Sequence, residues 1–226
     1  MKTRFLPVML LAALACSAPA LAATDAPKYA LGDTWSFRKV DGYSREVRGT
    51  YTHTVAAVAA GGISVERRSG DGKLLDTVTL AAPGLLSAGR LNARARGSLE
   101  PALQLLPFPL EEGKRWRQSV ARVDPAIYGK REVKVYGRVQ GWEMVKVPAG
   151  EFRALKIVRE LFLGDEDSFR GQTKLTQHLW YVPELRNLVK VQNWEEYHED
   201  KRDVVGPYYQ GTREIFELVT HRAGAS

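Results

Sequence analysis

Apolar and polar residues alternate with a period of two along most of this chain, and glycine punctuates the alternation. The strongest run is Val145 to Glu160, V-K-V-P-A-G-E-F-R-A-L-K-I-V-R-E. It predicts two strands around a tight turn. Pro148 presets φ for the second turn position, and Gly150 can take the positive φ that closes it. Ahead of the turn, Val145 and Val147 share one face of a strand while Met144 and Lys146 share the other. Beyond it, Leu155 and Ile157 point one way, and Phe152, Ala154 and Val158 the other.

Similar runs begin at Thr34, Arg45, Ile63 and Leu74, joined by Asp41-Gly42, Gly61-Gly62 and Gly70-Asp71-Gly72. They resume at Arg115, Arg131, Thr173, Leu188 and Thr212. Each strand is expected to pair with the next through a short turn, which makes a meander. Residues 83–110 break the rhythm: they lack long alternation and carry four prolines. An irregular segment or short helical turn is predicted near 98–110, because Ser98 could cap it and Pro107 would stop it. Its apolar residues Leu103, Leu105, Leu106, Phe108 and Leu110 are too many for a wetted loop, so the segment plugs a cavity or covers one end of the sheet. The fold expected is all-β: a single-domain, strongly curved antiparallel sheet or open half-barrel of about ten strands.

A weak internal echo accompanies this pattern. Gly32-x-x-Trp35 followed by Arg45-Glu46-Val47 resembles Gly113-x-x-Trp116 followed by Arg131-Glu132-Val133. Unequal spacing leaves open whether the two halves are a true repeat.

The first residues change the picture of where the chain acts. Lys2 and Arg4 precede an apolar core, Phe5 to Ala15, and Ala20-Leu21-Ala22 supplies the small residues that a leader peptidase needs. Residues 1–22 are read as a signal peptide, 23–222 as one β domain and 223–226 as a frayed tail. The expected location is the periplasm, with acylation at Cys16 as the alternative, although Ala13 replaces the usual leucine of a lipobox. No later stretch is apolar and long enough for a transmembrane helix. Cys16 is the one cysteine, so residues 23–226 can form no disulfide, thiolate metal site or cysteine nucleophile.

Of 33 basic residues two lie in the leader, leaving 31 against 26 acids and a net charge of +5. In a periplasm the counterparts of such a surface are anionic lipid headgroups and lipopolysaccharide, not nucleic acid. The charges are interspersed, which favours an ordinary solvated surface.

The residues offer little catalytic chemistry. His53, His178, His198 and His221 show no zinc-pair spacing, and H-E-x-x-H is absent. G-x-S-x-G and S-x-x-K are absent too. Asp165-Glu166-Asp167 lacks the calcium-loop pattern. Glu195 and Glu196 are neighbours on one strand, whereas catalytic carboxylates usually face each other from separate elements. Gly70-Asp71-Gly72-Lys73 precedes a strand and is a hairpin turn, not a phosphate loop. Five tryptophans and nine tyrosines are expected to pack the curved sheet rather than stack on a ligand. No catalytic residue, metal ligand or cofactor is assigned.

Three motifs carry a resemblance. P-F-P-L-x-x-G-K-x-W (Pro107 to Trp116), V-P-A-G-E-F-x-A-L-K-I (Val147 to Ile157) and W-Y-V-P-E-L-x-N-L-V-K (Trp180 to Lys190) occur in that order. Together they resemble exported bacterial envelope β-domains of unknown function over roughly residues 100–220. The architecture is also distantly similar to the lipoprotein-carrier superfamily, whose curved half-barrel holds acyl chains. Where W-Y-x-P often leads to a glycine, this chain has Arg186-Asn187, and Asn can take the left-handed conformation. The resemblance implies a non-enzymatic binding protein holding a lipid or other amphiphile on the concave face. Leu103, Leu105, Leu106 and Phe108 are its candidate ligand-binding residues. The alternatives are a module docking an envelope protein through a sheet edge and, third, an envelope hydrolase.

The leader reading yields a direct expectation. The exported protein should begin at Ala23, as N-terminal sequencing would show; a blocked, acylated residue 16 would contradict it.

Overall fold

The computed structural model describes residues 23–126, 129–165, 170–199 and 208–225. The leader, the acidic turn past Asp165 and the charged loop past Glu199 lie outside them. Within them are twelve strands: β1 (Thr34–Asp41), β2 (Val47–Ala59), β3 (Gly62–Ser69), β4 (Leu74–Ala82), β5 (Leu85–Arg90) and β6 (Arg96–Gln104). The second half holds β7 (Arg115–Val123), β8 (Lys130–Val147), β9 (Gly150–Asp165), β10 (Arg170–Val182), β11 (Asn187–Glu199) and β12 (Tyr209–Arg222). Each strand pairs antiparallel with the next, and β1 pairs with β12 from Thr34↔Arg222 to Asp41↔Glu214. The sheet is therefore a closed barrel.

This corrects the open half-barrel of about ten strands expected from the sequence. The two additional strands are β5 and β6, inside the segment read as irregular or helical. β6 contains Pro101, which normally argues against a strand. Here β6 pairs with β5 at Leu86↔Leu103 and again at Ala88↔Ser98, so Pro101 falls in the irregular stretch between them. Its pairing with β7 ends at Glu100↔Ala121. No ladder bond is asked of the missing N–H. The single helical turn among the described residues is Pro183–Leu185.

The central hairpin forms as its residues dictate. Val147 pairs with Gly150 around Pro148-Ala149, and Gly150 has φ 139°, a region open chiefly to glycine. Val145 and Val147 are buried while Met144 is exposed. Ala154 and Leu155, on opposite faces, are nevertheless both buried. The cause is the hairpin tip, which folds across the sheet: the Ala149 N–H donates to the Leu218 carbonyl on β12, 3.0 Å away. Val145, Val147 and Ala154 thereby pack with Trp180, Val182, Val189 and Leu218.

The barrel seam is fastened at Asp33, whose side chain is wholly buried. Its carboxylate accepts from the Ala30 N–H at 2.8 Å, the Arg186 Nη2 at 2.6 Å and the Gly224 N–H at 2.8 Å. Arg186, not Asn187, takes the left-handed conformation after the helical turn, with φ 57°. A non-glycine residue pays about 1–2 kcal/mol there, and the ion pair with Asp33 offsets it.

Because Gly150 sits at positive φ, Gly150→Val is expected to destabilise the fold by about 1–3 kcal/mol. Chemical denaturation measures this, and an unchanged midpoint would count against the assigned turn.

Candidate functional site in the barrel interior

Residues paired directly across antiparallel strands share a face. Val139, Ile157, Leu179, Val191 and Phe216 form one such row across β8 to β12. Val139, Ile157 and Leu179 are fully buried, so this face is the interior. The opposite face carries Lys156, Trp180, Lys190, Glu217 and Arg38, again in register. Lys190 and Arg38 both pair with Glu217, at 3.1 and 2.7 Å. A barrel crossing a bilayer needs the reverse, an apolar outer band. No helix among the described residues is long and apolar enough to cross a membrane.

A barrel of eight strands is just filled by its own side chains, and more strands leave more space. Here residues after Glu100 supply the filling. They leave β7, and side chains of the β7 inner face hold their backbone instead. Gln118 accepts from the Gln104 N–H at 2.7 Å and donates to the Ala102 carbonyl at 3.1 Å. The Trp116 indole donates to the Gln104 carbonyl at 3.0 Å. Trp116 can lie there because its partner is Gly137: any Cβ on Gly137 would stand 2.2 Å from the indole ring. From the β4–β5 turn, the Gly84 carbonyl accepts the N–H groups of Leu105 and Leu106.

The four residues singled out from the sequence thus lie on one stretch, Leu103 near the end of β6 and the other three just past it. Leu103 is fully buried with Leu86, Leu99 and Val120, and Leu105 packs against the same cluster. Leu106 and Phe108 are half-buried against Leu110, Val139, Ile157, Leu179 and Tyr181. The Phe108 ring meets Tyr181 edge-on at 5.5 Å.

One turn along the barrel, the inward row changes character. Trp116, Gly137, Arg159, Gln177, Asn193 and Glu214 face one another in register across β7 to β12. Arg159 is only 8% exposed. Its Nε donates to Gln177 Oε1 at 2.6 Å and its Nη1 to the Leu105 carbonyl at 2.8 Å. Gln177 passes the chain to Asn193 at 2.9 Å. Arg159 forms no ion pair among the described residues, since the Glu214 carboxylate is engaged by Lys39. Burial without a counter-ion pulls its pKa down to about 9, which still leaves it charged at neutral pH.

Sequence reasoning passed over Arg159. The signal was available: it shares the parity of Leu155, Ile157, Leu161 and Leu163, as Gln177 shares that of Leu175 and Leu179. A polar residue in an apolar register is the mark of an internal site.

Other candidates resolve into structure. Glu195 is buried and accepts from Asn92 Nδ2 at 2.5 Å and from Thr212, whereas Glu196 lies on the other face with Lys174. The two carboxylates cannot act on one bond. An open groove of about 470 Å³ is lined by Glu112, Gln140, Gly141, Trp142, Glu143, Arg153 and Lys156. Its Lys156 is neutralised by Glu143 at 3.3 Å, and Arg153 already covers Trp142 at 4.9 Å. Among the described residues no group of three His, Cys, Asp or Glu side chains could hold a metal ion.

The architecture, a closed antiparallel barrel with a segment through its interior, can be set beside known proteins. No protein-family model matches the chain, and no curated protein does. Among solved structures it is similar to a protein from Parabacteroides distasonis assigned as a lipoprotein, with TM-score 0.52 and 13% identity over 89% of this chain and 100% of that one. An exported protein of YmcC-like fold from Bacteroides fragilis gives TM-score 0.45 and 12% identity over 89% and 100% of the two chains. The hypothetical lipoprotein YmcC from Escherichia coli gives 0.41 and 9% over 84% of each. The chain shares its fold with the first of these, and the resemblance to exported envelope β-domains is met at that level. The sheet is closed, where the likeness to lipoprotein carriers implied a half-barrel.

His53 provides a pH test of the interior. It stands in the inward row Trp35, His53, Arg67, Asp76 and packs 5.1 Å from Phe37. Burial, then the Arg67 charge, lowers its pKa from 6.5 to about 3. The unfolded chain therefore binds a proton below pH 6.5 that the folded one refuses, so stability falls as pH drops from 6.5 toward 3. His53→Gln should flatten this decline between pH 6.5 and 5, where carboxylates contribute little; an unchanged slope would contradict it.

Proposed function

We propose that the protein is an exported, non-enzymatic binding protein that holds a lipid or other amphiphile inside its barrel. The observation that carries this reading is the run of apolar side chains from Leu103 to Phe108, which starts at the end of β6 and continues past it against the inward residues of β8 to β10. Leu106 and Phe108 remain half-buried rather than locked in. Most of the hydrogen bonds from barrel side chains to the segment go to its backbone, at Ala102, Gln104 and Leu105. Such a segment can shift by a few ångströms and close its leucines and phenylalanine over an acyl chain, in an apolar site with few polar groups. The exported and lipoprotein descriptions of the structural neighbours agree with an envelope setting.

Docking through a sheet edge loses support, because closure gives every strand two neighbours and leaves no strand with one side wholly unpaired. A hydrolase would need converging polar groups around a reacting centre; beside the apolar run, the row of Arg159 instead presents a guanidinium held by the amides of Gln177 and Asn193.

Leu106→Ser with Phe108→Ser should weaken binding of a fluorescent fatty acid at least about tenfold, as loss of two apolar contacts implies, while lowering the melting temperature only slightly. A double variant that unfolds outright would assign both residues to the core. Wild-type protein that binds no amphiphile at micromolar concentration would remove the reading.

A further inference from the structure

Arg159 is a cost that the packing of the barrel does not require. A buried guanidinium without a counter-ion is destabilising, and a leucine in its place would continue the inward run of β9. Its surroundings, moreover, hold it in a fixed orientation. Gln177 fixes Nε, Asn193 fixes Gln177, and Nη1 rests on a neutral carbonyl, that of Leu105. Nη2 has no hydrogen-bond partner among the described residues. The guanidinium thus presents one edge to the segment after β6, held there by a neutral acceptor rather than an anion.

We propose that Arg159 is the headgroup site of the barrel, so that the bound amphiphile is anionic, with a carboxylate or phosphate head. This rests on the amphiphile-binding reading and names its ligand class. The anion takes the place of the Leu105 carbonyl at Nη1 and engages Nη2 beside it. Two parallel N–H···O bonds to an anion make a bidentate ion pair, whereas the single bond they replace carries charge on its donor alone. Head binding and movement of the segment are then one event, because releasing the Leu105 carbonyl frees the chain that carries Leu106 and Phe108. The tail lies along the neighbouring inward row of Val139, Ile157 and Leu179, directly next to the Arg159 row in register. A cationic or zwitterionic head would leave the guanidinium unneutralised.

The test uses a neutral fluorescent reporter, 1-N-phenylnaphthylamine, displaced by dodecanoate, dodecyl phosphate or dodecanol below their critical concentrations. On wild type, one or both anions should displace the reporter at concentrations at least about tenfold lower than dodecanol, the order expected of a hydrogen-bonded charge. Which anion is better distinguishes a carboxylate head from a phosphate. Gln177→Glu is the decisive variant: it keeps the shape and the acceptor to Nε but supplies Arg159 with an internal counter-ion. In it the preference for anions should vanish, the anions and dodecanol displacing the reporter at concentrations within about twofold of each other. Arg159→Met should do the same, with near-UV circular dichroism checking that each variant is folded.

Equal displacement by dodecanol and the anions on wild type would overturn the headgroup assignment and leave the amphiphile reading standing. So would an anion preference that survives in a folded Gln177→Glu protein. A reporter that wild type does not bind, with no direct binding of dodecanoate, would overturn both.

Discussion

The structure depends on one pairing, that of β1 with β12. An antiparallel meander of this length ends in two free edges, each a row of unpaired N–H and C=O groups that invites association. Joining them satisfies both rows at once and converts a sheet into a barrel. The seam is then reinforced by residues that neither strand contributes to its ladder. Asp33 gathers Arg186 and the backbone of residues 30 and 224. Nearby, the Trp35 indole donates to the Leu185 carbonyl at 2.8 Å and stacks on His221 at 5.6 Å. Removing the Asp33 carboxylate would leave a guanidinium and two N–H groups without their acceptor at the point where the ends of the chain meet. Loss of one partner of such a buried pair typically costs about 3–5 kcal/mol.

Closure sets the next constraint. Twelve strands enclose more space than their inward side chains fill, and a folded protein does not leave apolar space empty. The chain answers with the residues after Glu100, which leave β7, stay paired with β5 as far as Gln104, and then pack against the inward residues of β8 to β10. Their backbone amides need partners in a place without water, and the inner faces of β4–β5, β7 and β9 provide them through Gly84, Trp116, Gln118 and Arg159. Two members of the polar row, Trp116 and Arg159, are thereby tied to the internal segment. What does not follow is that one member of the row is a cation. Gln118 shows that an amide does the same work on the same segment, and this difference separates Arg159 from the rest.

Much of this was legible in the residues. The Val145 to Glu160 hairpin, with its buried valines and its glycine at positive φ, could be read residue by residue, because its determinants are local. The strands from β1 to β4 and from β7 to β12 followed from alternation. β5 did not, since Leu85 to Arg90 is short and lacks alternation, nor β6, where Pro101 and an irregular pairing mask the strand. Closure was invisible for a different reason: Thr34 and Arg222 are far apart in sequence, and alternation says which face is buried, not which strand is the neighbour. The apolar run Leu103 to Phe108 stood out as unfit for a loop, and the structure places it across the barrel. The echo of Gly32-x-x-Trp35 in Gly113-x-x-Trp116 marks the first strand of each group of six, with both indoles donating to a backbone carbonyl.

The central claim is that the barrel interior is occupied in its natural setting. Native mass spectrometry of the protein purified gently from its own cell envelope tests it most directly. A population heavier than the bare chain by the mass of one amphiphile, released on collisional activation in negative-ion mode, is the expected result. A single species at the mass of the polypeptide, persisting when purification omits every detergent and organic solvent, would contradict it.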